Sequence, residues 1–135
     1  MKKLLSIRYS TAAFNTAQLL IRLVFGLLMM NHGYDKLLHF SAKKAEFINF
    51  LGMGQTLSLV LVVFAEFFCA LFVVLGLFTR LSLIPLIITM CVALFKVHHG
   101  DFMGEGQMAA VFLGAYLGLL LTGPGKISVD GLISN

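Results

Sequence analysis

Between Leu57 and Phe78 the chain runs LSLVLVVFAEFFCALFVVLGLF, 22 residues whose only polar interruptions are Ser58 and Glu66. A helix rising ~1.5 Å per residue over that stretch matches the ~30 Å hydrocarbon core of a bilayer. Glu66 falls near its middle. A charged carboxylate facing lipid at that depth costs on the order of several kcal/mol, so Glu66 must face other protein, pair with a cation or stay protonated. The surroundings of Glu66 therefore become the question that the rest of the chain has to answer.

The remaining sequence supports a membrane setting. With 59% hydrophobic and 12% charged residues and a mean hydropathy of +0.96, a chain of 135 residues has too little polar surface for a water-soluble domain. One membrane domain over residues 1–135 is expected. The formal charge of +4 comes from ten scattered Lys and Arg, with no basic run interleaved with aromatics, so no nucleic-acid partner is expected. Cys69 and Cys91 form no CxxC pattern. The opening MKKLLSIRYS has its short apolar run broken by Arg8 and no small-residue cleavage site, so a removed signal peptide is not expected.

Hydropathy divides the chain into four spans, about residues 16–38, 57–78, 81–97 and 107–122. Asn15 or Thr16 is expected to cap the first. Between the first and second, Ala42 to Leu51 sets Phe47, Phe50 and Leu51 opposite Lys43 and Lys44, the pattern of a short amphipathic helix on the membrane face. Only Thr79 and Arg80 separate the second and third spans, which forces an antiparallel hairpin, and Pro85 is placed in the first turn of the third. Gly123, Pro124 and Gly125 stop the fourth. The fold class expected is all-α, an antiparallel bundle of four transmembrane helices with the amphipathic helix between the first two. Both termini then share one side with Lys2, Lys3, Arg8, Arg80 and Lys126, against Lys36, Lys43, Lys44 and Lys96 opposite, which favours cytoplasmic termini in a multi-pass protein. Ala110, Gly114 and Gly118 recur every four residues, a small-residue face suited to internal packing or to a homo-oligomer.

Counting depth at ~1.5 Å per residue puts Glu66 about 18 Å from the inner end, Arg22 about 9 Å and His32 about 24 Å. Arg22 below and His32 above are thus the expected neighbours of Glu66. On a wheel at ~100° per residue, Arg22, Gly26, Met29, Gly33 and Lys36 share one face of the first span. His98, Asp101 and Glu105 reach the outer mouth beside His32 and Lys36. A ladder of proton-accepting groups under an apolar roof suits a quinone headgroup, whose carbonyls exchange protons on reduction or oxidation. It also suits a stable bundle in which Arg22 and Glu66 form a locked pair. His32, His98, His99 and Glu105 match no metal-ligand spacing, and no metal site is expected.

Taken together, RLVFGLLMMNHGYDKL from Arg22, Glu66 with LGLFTR from Leu75, then His98, Glu105 and GPGKISVD from Gly123 resemble the DoxX family of small four-helix membrane proteins, over about residues 17 to 130. Where that family often carries Gly-Gly after the acidic residue, this chain has Cys69 and Ala70. Its members are similar to subunits of a thiosulfate:quinone oxidoreductase, to subunits of a quinol oxidase assembly, and to membrane anchors of thiol-oxidative-stress complexes. The resemblance implies a subunit of the inner (plasma) membrane, surrounded by lipid, that works with protein partners in a redox complex. The expected site has Glu66 and His32 handling protons and Arg22, Lys36, His98 and Glu105 around a quinone, with no covalent cofactor. The alternative is a non-enzymatic scaffold or assembly subunit whose charges only hold the helices together; a small-molecule or lipid carrier ranks last, because nothing charged lies below Arg22 in the first span.

Overall fold

The computed structural model describes residues 1–134, apart from the side chains of Ala45, Glu46 and Phe50. Among the described residues the chain is all-helical, with no strand. Helix α1 spans Thr11–Leu38, α2 Phe40–Glu46, α3 Gln55–Leu75, α4 Thr79–Val97, α5 Gln107–Thr122 and α6 Val129–Ile133. Helix α1 packs along α3, α3 against α4, α4 against α5, and α5 returns to α1. The core between them holds Met29, Cys69, Ala70, Leu86, Leu94 and Tyr116.

Three of these helices, α1, α3 and α4, are long and apolar enough to cross a membrane. Only 22% of the most apolar window of α1 is buried inside the protein, so Leu20, Val24, Leu27 and Leu28 look outward. So much exposed apolar surface requires lipid around it. Helix α5, at 16 residues, is apolar but shorter.

Helix boundaries differ from the hydropathy limits where caps decide them. Helix α1 starts at Thr11, because the Ser10 hydroxyl accepts the Ala13 N–H at 3.0 Å, so Ser10 and not Asn15 or Thr16 is the cap. Helix α3 stops at Leu75. There Gly76, at φ +70°, closes a Schellman motif: the Leu77 N–H donates to Phe72 O at 2.9 Å and the Gly76 N–H to Val73 O at 3.1 Å. Helix α4 starts at Thr79 because Asp130, 51 residues downstream in sequence, accepts the Phe78 N–H at 2.8 Å and the Thr79 N–H at 2.9 Å. Pro85 consequently lies inside α4 and not in its first turn.

The connection between α1 and α3 is only partly the expected amphipathic helix. Helix α2 ends at Glu46, Phe47 is extended, and Leu51 turns left-handed at φ 52° with its side chain 72% exposed. The Phe50 side chain lies outside the described residues. Lys43 stays on the polar side and meets Asp35 at 3.2 Å.

Two stretches depart from α-geometry. Phe64–Cys69 within α3 and Ala93–Val97 at the end of α4 are π-helical, with Ala70 N–H donating to Ala65 O and His98 N–H to Ala93 O, five residues back in each case. Each adds a residue to its turn, widening the helix where it meets its neighbour.

Candidate functional site

The close approach of α1 to α3 begins at two glycines seven residues apart. A Cβ on Gly26 would meet Val74 Cγ2 and lie 3.3 Å from Ala70 O; one on Gly33 would lie 2.7 Å from Glu66 C and 2.7 Å from Phe67 N. The missing side chains let α1 rest directly on the backbone of α3, at Gly33 on its π turn. One turn beyond Gly33, Lys36 reaches across and places Nζ 2.5 Å from Glu66 Oε2. The Glu66 side chain is 6% exposed and that of Lys36 22%. A buried carboxylate is thereby neutralised by a cation whose stem runs along apolar surface.

The pair expected between Arg22 and Glu66 does not form. Arg22 lies near the other end of α1, 2% exposed, and its guanidinium donates to four carbonyls: Val73 O and Val74 O at 3.2 Å, Pro124 O at 2.8 Å and Ile127 O at 2.7 Å. Val73 and Val74 belong to the last turn of α3, whose carbonyls carry the negative end of the helix dipole; Val73 O also accepts the Gly76 N–H at 3.1 Å and has a lone pair left for Arg22. A cation with five donors satisfies those acceptors and ties the segment after α5 to them. Depth counting assigned Arg22 a carboxylate because it ignored the backbone as an acceptor. Beside this clamp, Asp130 is held below the usual carboxylate range: its burial opposes ionisation, but the Thr79 and Phe78 N–H donors and the nearby Arg22 charge outweigh that.

Glu66 and Lys36 stand at one wall of a cavity of about 530 Å³. Helix α3 contributes Ser58, Leu61, Val62, Phe64 and Ala65, and α4 contributes Pro85, Ile88, Thr89, Val92, Ala93 and Val97; Phe47 and Ile48 close it from the connection before α3. His98, the residue that follows α4, also lines it. The two π turns face this same space, as Phe64, Ala65 and Glu66 belong to one and Ala93 and Val97 to the other. Widened turns do not interdigitate like regular ridges and grooves, which leaves room between α3 and α4. Phe64, Leu61 and Ile88 are about half exposed. The cavity thus opens sideways, toward the surface that lipid covers.

Of the residues singled out in the sequence, the cavity gathers Glu66, Lys36 and His98. Glu105 stands just outside, its carboxylate 3.7 Å from His98 Nδ1 and 88% exposed. His32 and Arg22 do not line it. His32 is exposed on the side of α1 facing α5, its ring 6.0 Å edge-on to Phe112. Asp101 accepts the Gly104 N–H in the loop between α4 and α5.

The family model DoxX matches residues 17–99, more than half of the sequence and every residue that lines the cavity. The chain belongs to the DoxX family. No curated protein and no solved structure matches it. Within this DoxX chain the match covers Arg22, His32, Lys36, Glu66 and His98, whereas Glu105 and the GPGKISVD stretch lie beyond it. Cys69 and Ala70 are buried, 3% and 0% exposed, and the close approach of the helices there comes from Gly26 on the facing helix. Both cysteines are free.

Sequence reasoning missed Thr89, Ser58, Phe47 and Ile48 as cavity residues and Asp130 as a cap. Nothing in local spacing marks the first four. For Asp130 a signal existed: the tight Phe78–Thr79 turn leaves N–H groups that need an acceptor from elsewhere.

Proposed function

We propose that this DoxX protein is a four-span inner-membrane subunit whose lateral cavity binds a quinone or a similar lipophilic molecule with a hydrogen-bonding head. The observation that carries this reading is the 530 Å³ apolar cavity with the Lys36–Glu66 ion pair in its wall. An apolar cleft with a few convergent polar groups is the usual form of a small-molecule site, and its volume is within the ordinary range for one. Its side opening suits a ligand that partitions into lipid.

Lys36 has three donors and gives one to Glu66, so two remain for a carbonyl oxygen. Glu66, paired with Lys36 in the cavity wall, presents a side-chain oxygen that can accept a hydrogen bond from a hydroxyl group. His98 and the exposed Glu105 beside it connect that wall to water. A quinone supplies the two-electron chemistry when bound; none of the side chains around the cavity stores electrons, so they come from a partner protein or directly from substrate. The excess of Lys and Arg with the termini supports a cytoplasmic side for that end.

Titration of the purified protein in detergent with a short-chain quinone tests the reading. Saturable binding that weakens in Glu66→Gln and disappears in Thr89→Phe, which fills the cavity, is expected. Binding indifferent to both substitutions refutes it.

The scaffold alternative rests on a different observation, the complete use of Arg22 on four backbone carbonyls. Under that reading Lys36–Glu66 is a second clamp of the same kind, Glu66→Gln lowers stability, and any cellular redox phenotype follows protein abundance alone.

A further inference from the structure

The two ends of the molecule differ in charge more than the Lys and Arg count suggests. The segments at the end that carries both termini hold Lys2, Lys3, Arg8, Arg22, Arg80 and Lys126 against a single acid, Asp130. The opposite end holds Lys36, Lys43, Lys44 and Lys96 against five acids, Asp35, Glu46, Glu66, Asp101 and Glu105. At the basic end a cleft of about 450 Å³ opens between the start of α4 and the segment after α5, lined by Phe78, Arg80, Leu81, Lys126, Asp130 and Ser134 among others.

The polar groups in this cleft are unevenly used. Both Asp130 oxygens are taken by the Phe78 and Thr79 N–H groups. Arg80 donates through Nε to Leu120 O at 3.1 Å and through Nη2 to Leu121 O at 3.4 Å, capping α5, which leaves its Nη1 without a partner among the described residues. The Lys126 backbone N–H donates to Asn15 Oδ1, while its ammonium has no partner among the described residues. Two unspent cationic groups therefore meet in one cleft at the start of a long helix, where the dipole adds to their field. The rim is apolar: Phe78 is 61% exposed and Leu81 67%, with Leu121, Leu132 and Ile133 exposed at the same end. A water-facing cleft has no use for such a rim, whereas acyl chains do.

We propose that this cleft binds the phosphodiester headgroup of an anionic phospholipid, with Arg80 and Lys126 on the phosphate oxygens and the apolar rim against the first carbons of the acyl chains. The site is independent of the cavity beside Glu66 and of what that cavity binds. It fixes the basic end at an anionic leaflet, and the Arg80 bridge to α5 makes helix packing sensitive to the lipid.

The full chain in neutral detergent, titrated with phosphatidylglycerol or phosphatidylcholine and read by native mass spectrometry, tests this. Phosphatidylglycerol is retained preferentially. Lys126→Gln, which removes no contact within the protein, weakens that retention about five-fold, and Arg80→Gln with Lys126→Gln about twenty-five-fold, the effect of one and two interfacial cations. Lys43→Gln with Lys44→Gln, the same charge loss at the other end, leaves it unchanged. Equal retention of the two lipids, equal loss in the Lys43 and Lys44 variant, or displacement of the lipid by inorganic phosphate at equal concentration overturns the proposal.

Discussion

Replacing Lys36 by Met and Glu66 by Gln, singly and together, gives a double-mutant cycle whose shape follows from the exposure of the two partners. Lys36→Met leaves Glu66, 6% exposed, with no cation beside it. Removing one partner of a buried pair costs about 3–5 kcal/mol, because the other charge is stranded. Glu66→Gln strands Lys36 instead, but that side chain is 22% exposed and long enough to carry its ammonium toward water. Its loss is about 1–2 kcal/mol, nearer that of a single charge-assisted hydrogen bond. The double variant strands nothing and falls close to Glu66→Gln alone, so the coupling between positions 36 and 66 is as large as the Lys36→Met loss itself, about 3–5 kcal/mol. A second cycle with Arg22→Met and Glu66→Gln is additive within about 0.5 kcal/mol, since Arg22 bonds only to carbonyls. Equilibrium unfolding in detergent micelles followed by circular dichroism measures both. A coupling below about 0.5 kcal/mol at 36 and 66, or above about 1 kcal/mol at 22 and 66, refutes the assignment of partners.

Gly33→Ala drives a methyl into the Glu66 and Phe67 backbone at 2.7 Å, so the gain of up to ~1 kcal/mol in helix propensity is outweighed by ~1–3 kcal/mol of overpacking; unfolding in detergent shows a net loss. Gly114→Ala meets nothing within 4 Å and is neutral or stabilising by about 0.5–1 kcal/mol in the same assay, whereas a loss there would mean that another copy covers this face. Acid weakens the link between Asp130 and the start of α4. Because its folded pKa lies below the unfolded value of ~3.9, the contribution is present above that value and lost as pH falls through the folded one. Unfolding curves taken between about pH 5 and 2 show a smaller acid loss in Asp130→Asn than in the parent protein.

The helices were legible in the sequence because hydropathy and helical period act locally. The 107–122 helix was placed at its observed limits, and the face shared by Arg22, Gly26, Met29, Gly33 and Lys36 was read directly from the wheel. Gly26, Met29 and Gly33 on that face are buried with Arg22, as a stripe facing one neighbour should be. Partners were less legible, since distance along a helix axis says nothing about which way a side chain leans. Arg22 and Glu66 lie on facing helices, yet Arg22 turns to the Val73 and Val74 carbonyls at the end of α3 while Lys36, counted only as part of the mouth, pairs with Glu66. The π turns were invisible because an extra residue in a turn has no composition of its own. The small face at Ala110, Gly114 and Gly118 was legible as a pattern but not in direction: Gly114 and Gly118 point outward.

The π turn gives the carboxylate its place. In a regular helix Glu66 would hold a fixed angular relation to Leu59, Val63 and Val73, all of which are buried. An added residue between Phe64 and Cys69 advances everything after it by about 100° relative to what came before. That lets the buried stripe of α3 continue on both sides of the turn while the turn itself holds a carboxylate against α1 and, one residue away, presents Ala65 to the cavity. Gly33 is the matching device on α1, since only a residue without a side chain can lie on so wide a turn. A polar group inside an apolar helix, a π turn around it, a glycine opposite and a cation one helical turn further along are then a single arrangement. Removing any one of the four opens the contact on which the other three depend.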